Sequence, residues 1–67
     1  MKPEEVFGAN AGKVWNALKS NGPLNIQSIT KTTQLKETDV FGALGWLGRE
    51  GKIQIVEDKK GRLFKLV

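Results

Sequence analysis

The stretch from Leu35 to Ile53, LKETDVFGALGWLGREGKI, constrains the fold most, because one helical pattern runs into a strand pattern with almost no loop between them. At about 100° per residue and with Val40 as origin, Leu44, Leu47 and Gly51 lie within about 40° of it, whereas Thr38, Gly42, Gly45 and Arg49 point away. This is one amphipathic helix. Gly51 stands where a left-handed cap would close it, and the alternating segment KIQIVE begins at the next residue. Lys36 is a poor N-cap, so Thr38 or Asp39 is expected to open the helix instead.

The segments on either side extend the pattern. Pro3 suits a first helical position, and Glu4 and Glu5 favour the positive end of the helix dipole. Phe7, Ala11, Val14 and Leu18 then form one apolar stripe, with Trp15 on its flank and Lys13, Asn16 and Lys19 facing water. Gly8 and Gly12 weaken this helix; its first turns are expected to fray or bend, and Ala11 and Gly12 mark a place where another element can come close. Asn21-Gly22-Pro23 ends it. Leu24 suits a short strand residue or a place beneath a hairpin, Asn25 suits an N-cap, and IQSITKTTQ reads as a short helix with Ile26, Ile29 and Thr33 inward. Gln34-Leu35 is the turn into the next helix, with Leu35 plugging the junction.

The end of the chain, KIQIVEDKKGRLFKLV, reads as a hairpin. Ile53 and Ile55 share one face with Phe64 and Leu66, while Gln54, Val56 and Lys65 lie outside. Asp58-Lys59-Lys60-Gly61 is the turn, with Gly61 available for positive φ. The order is helix, helix, helix, hairpin, an α+β arrangement, and its expected core is Val14, Leu18, Ile29, Val40, Leu44, Leu47, Ile53 and Phe64.

Composition limits the chemistry. A chain of 67 residues with 39% hydrophobic content forms one small domain, here read as 1–67. Without cysteine or histidine, disulfides, thiolate or imidazole metal sites, Ser-His triads and histidine acid/base chemistry are all excluded, so no enzyme, metal or cofactor is expected. GANAGKV has three residues between its glycines and Val14 after the lysine, which fails the geometry of a phosphate-binding loop. No signal-peptide core or membrane-length apolar run is present, and a cytoplasmic location is expected. The net charge of +4 leans towards a polyanionic partner.

The spacing of Val40, Ala43, Leu44, Leu47, Glu50, Gly51 and Ile53 resembles the second helix and wing entrance of winged helix-turn-helix domains. With the element order, the resemblance covers nearly the whole chain. It is strongest to the small stand-alone winged-helix domains of bacteria and archaea, most of them uncharacterised. The fold it implies is three helices followed by a β-hairpin wing. The function it implies is either nucleic-acid binding in transcription or protein–protein contact.

Two sets of residues carry these alternatives. For duplex DNA, Lys59, Lys60 and Arg62 stand at the wing tip, Thr38 and Arg49 on the outer face of the third helix, and Lys31 and Lys36 beside the turn. That face reads few bases, because Gly42 and Gly45 have no side chain and Glu37 and Asp39 are nearby; binding is therefore expected to be weak and electrostatic. For a protein partner, Gly42, Gly45 and Gly48 form a smooth strip flanked by Phe41 and Trp46. A bland alternative has those two aromatics packing within the molecule. A homodimer is expected, through helix three, helix one or the hairpin, since a core this small gains from mass action.

Overall fold

The computed structural model describes all 67 residues, Met1–Val67. Its elements follow the expected order: α1 (Pro3–Asn21), α2 (Ile26–Thr33), α3 (Glu37–Arg49), β1 (Ile53–Asp58) and β2 (Gly61–Leu66). None of the helices is long and apolar enough to cross a membrane. β1 and β2 pair antiparallel, with Ile53 opposite Leu66 and Ile55 opposite Phe64. Leu24 exchanges two backbone hydrogen bonds with Phe64 (3.0 and 2.8 Å), so the segment between α1 and α2 is pinned to β2.

The local signals act where their chemistry is needed. Asn25 Oδ1 accepts from the Ser28 amide at 2.8 Å, an N-cap for α2. Gly51 has φ +71; its amide donates to the Gly48 carbonyl and the Lys52 amide donates to the Leu47 carbonyl, the two bonds of a Schellman closure of α3. At the wing tip Lys59 and Lys60 alone join the strands. Asp58 Oδ1 accepts from the Lys60 and Gly61 amides (2.8 and 3.1 Å), and Gly61 takes φ +132. α2 ends on Gln34 at φ +63, a left-handed residue that carries a side chain.

Several expectations need correction. α3 starts at Glu37 with Lys36 as its N-cap and no side-chain capping bond, so neither Thr38 nor Asp39 opens the helix. α1 is continuous from Pro3 to Asn21 despite Gly8 and Gly12, and a Cβ placed on either glycine would meet nothing within 4 Å. The close approach to α1 is made at Ala11, which is buried, and not at Gly12. Phe7 leaves the inward stripe: it is 38% exposed and lies over α3, where a Cβ on Gly42 would stand 3.0 Å from its ring.

The core is Ala11, Val14, Leu18, Ile29, Val40, Ala43, Leu44, Leu47 and Phe64, with Ala17 also buried. Val14, Ile29 and Val40 are the largest side chains withdrawn completely from water, each worth roughly 1.5–3 kcal/mol in burial. Ile53 is only half-buried, because it stands at the open end of the hairpin. Three alanines outside the expected set, Ala11, Ala17 and Ala43, are also buried, the small side chains filling space between the helices.

Candidate nucleic-acid interface

Helix three is held by Val40, Ala43, Leu44 and Leu47, all facing the core, and this fixes what its other side presents. Glu37, Thr38, Phe41, Gly45, Gly48 and Arg49 are exposed. Phe41 is 50% exposed and is the one large apolar side chain on that outward stripe. The wing stands beside it. Phe41, Gly45, Gly48, Ile55 and Arg62 line a common groove of about 350 Å³, and the hairpin end, through Asp58 and Gly61, shares a second cleft with Phe41 and Ile26.

The cations differ in how free they are. Lys59 and Lys60 project from the two-residue tip, exposed and without an ion pair. Arg62 is held along the hairpin: its Nη2 and Nε both donate to Glu57 Oε1, at 2.8 and 3.0 Å, from the position directly across the ladder. This pair is exposed and adds little stability, but it leaves the guanidinium already partnered by a carboxylate, unlike the two lysines. Lys36 caps α3, Lys31 lies in the last turn of α2, and Arg49 closes α3; all three are exposed and unpaired.

The glycine strip is divided. Gly42 and Trp46 lie on the flank of α3 that faces α1: Phe7 covers Gly42, and the Phe7 and Trp46 rings are 6.4 Å apart between centroids with their planes tilted by 35°. Phe41 and Gly45 lie on the outward face. The intramolecular reading therefore holds for Trp46 and not for Phe41. Trp46 also borders a cleft with Trp15, Gly8 and Gly12, and Lys19 Nζ sits 5.1 Å from the centre of the Trp15 ring.

Ile55 was not anticipated at the site. Strand alternation puts it inward, and so it is, opposite Phe64; yet it is 56% exposed because the residues facing it, Gly45 and Gly48, have no side chains. Only the combination of hairpin register and helix phase reveals this. No group of three or more Asp or Glu side chains converges as a metal site would require.

A helix-turn-helix unit whose outward helix is flanked by a β-hairpin defines the winged helix-turn-helix class. The chain belongs to the family described as Winged helix-turn-helix domain (DUF2582), which matches residues 1–66. The solution structure of protein BT2368 from Bacteroides thetaiotaomicron is 31% identical and superimposes with a TM-score of 0.89 over 97% of this chain and 79% of that one. BpsR of Bordetella bronchiseptica, whose DNA binding is regulated by 6-hydroxynicotinic acid, is similar in fold at 21% identity and TM-score 0.81, over 88% of this chain and 47% of BpsR. The Zalpha domain of Carassius auratus PKZ, solved in complex with Z-DNA, is similar at 21% identity and TM-score 0.79, over 91% of this chain and 97% of that domain. No match was found among curated proteins.

Proposed function

We propose that this non-catalytic domain binds nucleic acid weakly and with little sequence preference, in a transcription-associated role in the cytoplasm, and that it does so as a homodimer. The observation that carries the reading is the pair of free lysines, Lys59 and Lys60, at the tip of a wing standing beside the exposed face of α3. Lys31, Lys36 and Arg49 supply further phosphate contacts and Thr38 a single polar reader, while Arg62 contributes less because Glu57 holds it. DNA contact by BpsR and by the Zalpha domain supports the reading by likeness of fold.

Its test is titration of labelled duplex DNA at two salt concentrations. Binding should weaken steeply with salt. The Lys59→Ala, Lys60→Ala double variant should lose most of it, with further change of Arg62 adding little; binding indifferent to all three changes would overturn the assignment.

A protein-contact role for the α3 face is the second reading, favoured by the half-exposed Phe41 and Ile55. Sedimentation separates the faces a dimer would use. Trp15 and Trp46 border one cleft, so Trp15→Lys and Trp46→Lys both probe the α1 flank, whereas Phe41→Lys probes the outward face. A dimer broken only through the tryptophans leaves α3 free for DNA. One broken only by Phe41→Lys favours the protein-contact role, and a monomer at the highest usable concentration removes the homodimer.

A further inference from the structure

The groove between α3 and the wing has a construction that intramolecular packing does not require. Gly45, Gly48, Phe41 and Ile55 line it together with the buried Leu44 and Phe64, and Arg62 is its one charged lining residue. Glycine in a helix interior is unfavourable relative to alanine, and Gly42 is the position where Phe7 limits the space for a side chain. At Gly45 and Gly48 a Cβ would meet nothing within 4 Å. The effect of glycine at these two positions is to keep the groove open, with Phe41 and Ile55 about half-exposed along it.

The charges around it select the occupant. Lys36 and Arg49, at the two ends of α3, and Lys59 and Lys60, at the wing tip, make no ion pair. Of the carboxylates nearby, Glu57 is held by Arg62 and Asp58 accepts from two backbone amides, whereas Glu37 and Asp39, in the first turn of α3, make no ion pair and oppose an anion. An apolar slot with an exposed aromatic ring, on a domain whose α3 ends and wing tip carry unpaired cations, suits a ligand with flat rings strung on a polyanionic backbone. A duplex meets this face poorly: only Thr38 and Arg49, towards the two ends of α3, carry donors for base edges in a major groove, and Phe41, Gly45 and Gly48 between them carry none. Stacking needs no base-edge code, only a free π-face.

From this geometry we infer that the groove takes an unstacked nucleobase of single-stranded nucleic acid, with Phe41 as the stacking platform and the lysines on the phosphates. The inference rests on the nucleic-acid reading above and narrows the ligand to strands with unpaired bases.

Fluorescence anisotropy of an end-labelled oligothymidylate, and of its duplex with oligoadenylate, tests it. Wild type should hold the single strand more tightly than the duplex. Phe41→Ala should weaken single-strand binding by about tenfold and leave duplex binding unchanged, in line with the usual loss of one aromatic–base stack. Gly45→Gln places a side chain in the open groove; it should weaken single-strand binding while raising the melting temperature, because Gln is the better helix former, so the loss cannot be mistaken for unfolding. Glu37→Gln should strengthen binding to both ligands.

Duplex binding through Lys59 and Lys60 without single-strand binding would overturn the groove assignment and leave the nucleic-acid reading intact. Binding of neither oligonucleotide would overturn both. If Phe41→Ala and Gly45→Gln leave oligonucleotide binding unchanged but abolish self-association in sedimentation, a second copy of this chain occupies the groove and the base-stacking assignment is overturned.

Discussion

Replacing Gly42, Gly45 and Gly48 one at a time with alanine separates three positions that are indistinguishable by spacing. In a helix interior the change is worth about 0.8–1 kcal/mol where the new methyl meets nothing. That condition holds at Gly45 and Gly48, so each variant should melt about 4–8 °C higher, the shift that about 1 kcal/mol produces in a domain of this size. At Gly42 the new Cβ would stand 3.0 Å from Cδ1 and Cε1 of Phe7, closer than ordinary contact, so the ring must move by a few tenths of an ångström. Phe7 is exposed enough to move, but its ring packs on Trp46, and an aromatic pair of this kind contributes roughly 0.5–1.5 kcal/mol. Gain and loss then nearly cancel, and Gly42→Ala should leave the melting temperature close to wild type. Circular dichroism melts provide the measurement. In a Phe7→Ala background the obstruction is gone and Gly42→Ala should recover its full gain, a coupling of about 1 kcal/mol in a double-mutant cycle. Equal stabilisation at all three positions in the wild-type background would refute the placement of Phe7 over Gly42. A fall in melting temperature at Gly45 would show that the outward face of α3 is covered.

Further variants test other parts of the structure. Leu44→Ala empties a buried position at a typical cost of 2–5 kcal/mol, which should leave so small a domain largely unfolded at room temperature; a cooperative melt near wild type would contradict the phase of α3. Gln34→Gly relieves a side chain held at φ +63 and should stabilise by about 0.5–1 kcal/mol in chemical denaturation, whereas Asn25→Ala removes the α2 cap and should destabilise by about 1 kcal/mol. Glu57→Gln frees Arg62 on the wing: stability should change by less than about 1 kcal/mol, while duplex affinity at low salt rises.

Most of the backbone plan is present in the sequence because its determinants are local. The Asn25 cap, the Gly51 closure of α3 and the Asp58–Gly61 turn each act within a few residues, and each acts in the structure as its chemistry requires. The phase of α3 was legible for a similar reason: burial of Val40, Leu44 and Leu47 follows from a 3.6-residue period that needs no partner to be read. The start of α3 was less legible, because Lys36 caps it without a side-chain bond and so leaves no chemical mark.

The candidate site depended on contacts between elements distant in the chain. Phe7 belongs to the apolar stripe of α1 by spacing, yet it packs over Gly42, some thirty-five positions later, and this contact alone sets Gly42 apart from Gly45 and Gly48. The exposure of Ile55 required both hairpin register and helix phase, since strand alternation cannot know that glycines face it across the groove. The restraint on Arg62 likewise appears once Glu57 is placed opposite it on the ladder. Periodicity specifies which way a side chain points relative to its own element; whether anything meets it there is decided by packing, and the exposed face of this domain is made largely of positions where nothing does.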